Sequence, residues 1–256
     1  MIELHSMKVL EEMKAAGSFV SSTLTSLKEH AGVGVDLLEL NAMAHDLIRE
    51  RGATSCYLDY APSFGSGPFG HVLCTSVNDA VLHGLPHPYR LRDGDLLTLD
   101  FAASVDGWVA DSAISFVVGT ASPDDLELIE LTERALEKAI SVAVVGNKIG
   151  DISHAIGSVA KEAGLTVNKQ FGGHGVGRTM HGDPFVANDG RPGRGFPLQP
   201  GLVIAIEPWF MRGTDQLRQA ADGWTLLSAN GSRTAHSEHT IAITEDGPLV
   251  LTQRGS

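Results

Sequence analysis

Residues Leu96 to Val118 limit what this chain can become more than any other stretch. Two apolar runs, Leu96–Ala103 and Trp108–Val118, flank Asp106-Gly107. Asp-Gly between such runs is a strong signal for a two-residue hairpin turn, because the turn needs positive φ, which these residues tolerate. A turn there pairs Val105 with Trp108, and the same register pairs Ala102 with Asp111. Asp100 is two residues from Ala102, so it shares a face with Asp111, and diagonal partners of this kind have Cα atoms roughly 7–8 Å apart. Asp100 ends the run Leu96-Leu97-Thr98-Leu99, and Asp111 sits among Val109, Ala110 and Ala113. A carboxylate in a buried strand needs a partner or a metal. The pair reads either as cation ligands or as two surface acids brought together by chance.

The rest of the chain alternates helices and strands. Apolar residues recur at helical spacing from Met7 through Leu27 and from Leu37 through Ile48, with Gly52 placed to end the second helix. Pro62–Gly70 is a loop rich in Gly, Pro and Ser that carries two phenylalanines, suited to line a pocket or simply to cross the surface. Ser122-Pro123 opens a helix to about Val145, and another is expected from about Asp151 to Ala163. Strands are expected at Gly201–Phe210, Trp224–Leu227 and Ala235–Thr244. This order predicts an α+β fold with antiparallel sheets: one domain over residues 1–256, built of two similar halves of about 1–120 and 121–256.

With 256 residues, 43% of them hydrophobic, there is ample core for such a domain. No apolar run approaches the ~20 residues of a membrane helix, and Met1–Val9 has no apolar core of a signal peptide. Two cysteines, Cys56 and Cys74, do not suggest a disulfide framework, so a reducing cytoplasm is the expectation. A net charge of −12 argues against nucleic acid as a partner.

Three further stretches carry chemistry. Phe171-Gly-Gly-His174-Gly-Val-Gly-Arg-Thr-Met-His181 sets two histidines around a glycine-rich turn. No strand-to-helix context surrounds it, so it is not read as a phosphate loop. Gly201–Pro208 is an apolar strand closed by Glu207, and Thr234–Thr244 carries Glu238 at the mouth of another. Either glutamate alone reads as a solvated strand-end acid. Asp100, Asp111, His174, Glu207 and Glu238 together offer four carboxylates and one imidazole, a set that suits a pair of divalent ions.

Val81-Leu-His83-Gly-Leu-Pro86, the Asp100/Asp111 hairpin, Gly173-His174-Gly-Val-Gly with His181, Ala205-Ile-Glu207-Pro208 and Glu238-His239-Thr240 occur in an order and spacing that resembles the type I methionine aminopeptidases, over nearly the whole chain. The resemblance implies the pita-bread fold, with pseudo-symmetric halves, a curved antiparallel sheet and outer helices. It implies a metalloaminopeptidase that removes N-terminal methionine from nascent chains and peptides with a small second residue, by two-metal activation of water. Asp100 then corresponds to the bidentate ligand of the first metal, Asp111 and Glu238 to bridging carboxylates, and His174 and Glu207 to ligands of the second. Glu207 also handles the proton of the attacking water. His83 and His181 match two non-ligand histidines beside the scissile amide, with His181 stabilising the oxyanion.

By the same resemblance Phe69, Cys74, Met180 and Trp224 form the methionine pocket; ordinary core is the other reading of these four. Ser66 stands where many relatives carry an aromatic, which predicts a wider rim, and Asn188-Asp189 is a second departure. The cations are Co, Mn, Fe or Zn. A monomer is expected, with transient ribosome contact and no membrane partner. The proline-specific peptidases (Xaa-Pro aminopeptidase and prolidase) share this fold and ligand set but usually carry an extra N-terminal domain, for which there is no room before His83. The short spans from His181 to Glu207 and on to Glu238 leave no room for the type II insertion. A non-catalytic pita-bread binding module is disfavoured because all five ligands are kept.

Overall fold

The computed structural model describes residues 2–255, so that Met1 and Ser256, the ends of the expected domain, lie outside the described residues. The chain opens with two helices, α1 (Met7–His30) and α2 (Leu37–Arg51), followed by β1 (Thr54–Ser55), β2 (Cys74–Val77), β3 (Ala80–Leu82), β4 (Leu96–Val105) and β5 (Trp108–Val117). It then repeats the order. Helices α3 (Pro123–Ser141) and α4 (Ile149–Glu162) precede β6 (Leu165–Thr166), β7 (Gly172–Gly175), β8 (Gly182–Ala187), β9 (Val203–Ile206), β10 (Trp209–Arg212), β11 (Leu217–Gln219), β12 (Leu226–Ser228), β13 (Thr234–His236), β14 (His239–Thr244) and β15 (Gly247–Val250).

Capping explains the helix ends. Ser6 accepts from the Val9 N–H, Asp36 from Leu38 and Ser122 from Asp125, while Gly52 closes α2 at φ +67°. Two ends differ from the expectation. Helix α3 stops at Ser141 rather than near Val145, because the Asn147 side chain donates to the Val142 carbonyl and turns the chain there. Helix α4 starts before Asp151, whose carboxylate reaches back to the Lys148 N–H and so acts from inside the first turn. Helix α1 buries Leu10, Met13, Val20, Leu24 and Leu27. A Cβ at its Gly17 would lie 2.1 Å from the Leu251 carbonyl oxygen, so the helix and the end of the chain meet only through glycine.

The sheets are antiparallel. Strand β4 pairs with β1, β2 and β5 under α1, and β15-β14-β9-β7-β8 form a second sheet that shares a core with α3 and α4. Two expected strands are each divided. Gly201–Phe210 becomes β9 and β10 with a break at Glu207-Pro208, and Ala235–Thr244 becomes β13 and β14 with a break at Ser237-Glu238. The breaks face each other: Ile206 pairs with His239 on one side, and Trp209 with His236 on the other. Pro208 has no N–H to give a ladder. Among the described residues the bond from the Ser237 N–H to the Pro208 carbonyl is the backbone hydrogen bond that spans the gap. The expected strand at Trp224 begins instead at Leu226, since Asp222 captures the N–H groups of Trp224 and Thr225.

Strands β13-β10-β6 form a further sheet, and hydroxyl side chains join β5 to the segment from β13 to β14. Ser112 Oγ donates to the Glu238 carbonyl (2.6 Å) and Ser115 Oγ to that of His236 (2.8 Å). Thr240 Oγ1 accepts from the Asp111 N–H (2.9 Å) and donates to its carbonyl (2.7 Å). Among the described residues no helix is long and apolar enough to cross a membrane.

Candidate metal centre and substrate cavity

The hairpin has the expected register, Val105 with Trp108 and Ala102 with Asp111, so Asp100 and Asp111 share a face. Asp111 is buried and Asp100 partly so. His174 is placed by its neighbours. A Cβ at Gly173 would sit 2.1 Å from the Ala205 oxygen, and one at Gly175 would sit 2.0 Å from the Asp183 oxygen. The glycines are there because β7 is pressed between β8 and β9; the close neighbour is backbone. Glu207 and Glu238 stand in the two strand breaks. Asn188 Nδ2 donates to the Glu207 carbonyl, and the Glu238 N–H donates to Ala113.

These five side chains converge. Ligand atoms of Asp100, Asp111 and Glu238 lie within 4.8 Å of one another, as do those of His174, Glu207 and Glu238. A third such group joins Asp111, His174 and His181, so distance alone also admits His181. Among the described residues the basic side chains within 4.0 Å of these carboxylates are histidines: His174 near Asp111 and Glu207, His236 near Glu207 and Glu238. Burial pushes the Asp100 carboxyl up to about 6. Burial, and then the charges of the neighbouring acids, push Asp111, Glu207 and Glu238 well above the carboxylate range. Burial and His181 bring the His174 imidazole down to about 3.

The donor set fits divalent cations on geometry as well as on chemistry. His174 Nδ1 lies 3.1 Å from the Gly175 carbonyl, which can only accept, so Nδ1 carries the proton. The Nε2 lone pair of the neutral ring then faces Glu207 Oε1 at 3.5 Å and Asp111 Oδ2 at 3.8 Å. Acceptor facing acceptor in a buried site is unfavourable unless a proton or a cation lies among them. Glu238 Oε1, buried and without a hydrogen-bond partner, makes the same demand.

One cavity of about 250 Å³ joins this cluster to an apolar chamber. All five cluster residues line it, together with His83, His181, Phe69, Cys74, Met180 and Trp224. His83 sits at φ +56°, and the next residue, Gly84, has room for no Cβ beside the Thr75 carbonyl. Burial brings His83 down to about 4, with His181 adding to the effect; partial desolvation takes the more exposed His181 to about 4. Both rings therefore act as neutral imidazoles.

Ser66 packs against Gly223, and Phe64, two residues earlier, stacks on His83 with centroids 5.4 Å apart. Asp189 leaves the site for an ion pair with Lys169, while Asn188 is fully buried and holds the strand end of Glu207.

Tyr57 and Tyr60, which line the cavity, and His236, which stands behind it, escape the sequence reading. Tyr57 donates to both aspartates, Tyr60 lies against His181, and His236 stands between the glutamates. On the continuous strand expected from the sequence His236 shares parity with Glu238, a signal the break at Ser237-Glu238 interrupts in the fold. Nothing in the spacing marks Tyr57 or Tyr60.

The family model described as Metallopeptidase family M24 matches residues 11–245. A methionine aminopeptidase of Mycobacterium tuberculosis is 43% identical over 95% of this chain and 92% of its own length. The methionine aminopeptidase of Rickettsia prowazekii superposes with a TM-score of 0.94 at 34% identity, covering 99% of this chain and 100% of that one. Prolidase from Pyrococcus furiosus superposes at 0.76 with 21% identity, over 99% of this chain and 66% of its own; that likeness is one of fold. The architecture is the α+β pita-bread fold of these neighbours.

Proposed function

The chain belongs to metallopeptidase family M24, and on that premise we propose that it is a methionine aminopeptidase, removing N-terminal methionine from peptides and nascent chains whose second residue is small. The observation that carries this reading is the cavity itself, with four carboxylates and an imidazole at one end and an apolar chamber for a thioether side chain at the other. Asp100, Asp111 and Glu238 would hold one divalent ion, and His174 and Glu207 would share Asp111 and Glu238 around a second. Co, Mn, Fe and Zn all suit such donors. Bound ions of this kind supply a Lewis acid for the scissile carbonyl and lower the pKa of water.

The protein groups have distinct tasks. Glu207 lines the cavity beside the other ligands, where its carboxylate would take a proton from water and return it to the leaving amine. His181 presents a neutral N–H to the oxygen that becomes negative, and His83 presents one beside the amide. Phe69, Cys74, Met180 and Trp224 wall the methionine pocket; Trp224 gives a flat face and Met180 an adaptable one. The free α-amino group of the substrate is held at the carboxylate end, which restricts cleavage to the first residue.

The same reading treats 1–256 as one catalytic domain whose halves both contribute ligands. It places a monomer in a reducing cytoplasm, where Cys56 and Cys74 stay free thiols, in transient contact with the ribosome and without nucleic-acid binding of its own. The test is hydrolysis of Met-Ala-Ser beside Ala-Pro-Ser after loading with Mn²⁺ or Co²⁺. Methionine release is expected. Faster cleavage of the Ala-Pro peptide would replace this reading by the proline-specific one.

A further inference from the structure

We infer that Tyr57 is a positioning residue for Asp100 and Asp111, one phenol proton fixing the facing oxygens of both carboxylates; this rests on the reading of the two aspartates as cation ligands. Tyr57 follows β1, whose pairing of Ser55 with Ala103 fixes the segment against β4. Ser55 Oγ accepts from the Tyr57 N–H (3.1 Å), and the Cys56 N–H donates to the Ala102 carbonyl (3.3 Å). The ring is 6% exposed and meets Phe69 edge-on at 5.7 Å. From there its O–H lies 2.5 Å from Asp100 Oδ1 and 3.2 Å from Asp111 Oδ1.

Two buried carboxylates on adjacent strands repel each other, and the last torsion of an aspartate is a broad, roughly two-fold one. The backbone register alone therefore sets where the two groups are, and not which oxygen of each faces the other. A donor between them settles that. With Oδ1 of Asp111 drawn to the phenol, Oδ2 is the oxygen left toward His174, at 3.8 Å. Hydrogen bonds to carboxylates are short and strong for their type. Partners that orient metal ligands typically account for about 10–100-fold in metal affinity. Tyr57 is a donor shared by both aspartates, from a segment outside the hairpin that carries them; the Ser112 N–H reaches Asp111 as well, and the two carboxyls also meet each other.

The variant Tyr57→Phe keeps the ring and its contact with Phe69 and removes the donor. Metal-free wild type and variant are titrated with Co²⁺ by calorimetry, the visible d–d bands of the Co²⁺ forms are compared, and thermal unfolding is followed without metal. The inference predicts Co²⁺ affinity weakened about 10–100-fold and altered d–d bands in a variant that still unfolds cooperatively. Unchanged affinity and bands overturn it, as does a fall in melting temperature that leaves the bands intact, which marks a packing role. A phenolate-to-iron charge-transfer band in Fe³⁺-loaded wild type also overturns it, by making Tyr57 a ligand itself. If the wild type takes up no Co²⁺, the ligand reading falls and this inference with it. A variant that alone behaves like wild type removes only the role of Tyr57.

Discussion

The Asp100–Asp111 pair and the Glu207–Glu238 pair reach the same point by opposite means. The aspartates sit within β4 and β5, whose ladder runs from Leu96–Val117 to Val105–Trp108 without interruption. Their direction follows from alternation along a regular hairpin. The glutamates stand where two neighbouring strands break together, and no alternation carries across Glu207-Pro208 or Ser237-Glu238. Their backbones are held by tertiary bonds instead: Asn188 on the Glu207 carbonyl, Ser112 and Ala113 on Glu238. A regular ladder positions short side chains cheaply, whereas a broken one frees backbone that other segments must then satisfy.

The comparison can be broken hardest at the carboxylates shared by both candidate sites. Asp111→Asn and Glu238→Gln should each lose bound cation and more than about 10³-fold in activity, beyond the usual cost of one oxyanion donor. Elemental analysis beside kinetics checks this. A variant retaining full metal and turnover would remove that residue from the ligand set.

Next in size is the contrast between the two histidines of the glycine-rich turn. His181→Ala should lower kcat by about 10²–10³ with metal content near wild type and KM little changed. His174→Ala should lose a metal as well as activity. The reverse pattern of metal loss would exchange their roles.

A smaller effect separates the ladders themselves. Thr240→Val leaves the N–H and carbonyl of Asp111 without the hydroxyl that serves both, at a cost of about 1–3 kcal/mol in urea unfolding. Ser112→Ala removes the bond to the Glu238 carbonyl and should cost a similar amount. If Thr240→Val and Ser112→Ala both unfold like wild type, the seam along β5 does not hold the site together.

The smallest effect is in pH. The site carboxyls are raised, Asp100 to about 6 and the others further, so in the metal-free fold they hold protons above the unfolded value near 4. Their contribution to metal-free stability is present below that value and is lost as pH rises through the folded ones. Cations must displace those protons, so Mn²⁺ affinity should rise between pH 5.5 and 7.5 with protons released. Calorimetry in two buffers of different ionisation enthalpy measures the release; affinity flat across that range would contradict the raised values.

The same contrast explains what could be read before the fold was known. Asp100 and Asp111 were legible because Asp106-Gly107 fixes a register and the register fixes faces. Glu207 and Glu238 were legible as residues at strand ends, but the chain reads as two continuous strands there. The paired breaks depend on Pro208 meeting Ser237 across the sheet, which no local pattern records. The glycines around His174 were visible, yet their cause, backbone of β8 and β9 on either side, is tertiary. Tyr57 and Phe64 lie in irregular segments, where position is set by what they touch.

On the proposal that the two unlike carboxylate pairs hold divalent cations, the cavity does no chemistry without them. Exhaustive chelation, verified by elemental analysis and followed by Met-Ala-Ser hydrolysis with and without added Mn²⁺ or Co²⁺, is the decisive test. The stripped protein should be inert, keep its fold and regain methionine release as up to two equivalents of metal bind. Full activity in the verified metal-free protein would contradict it.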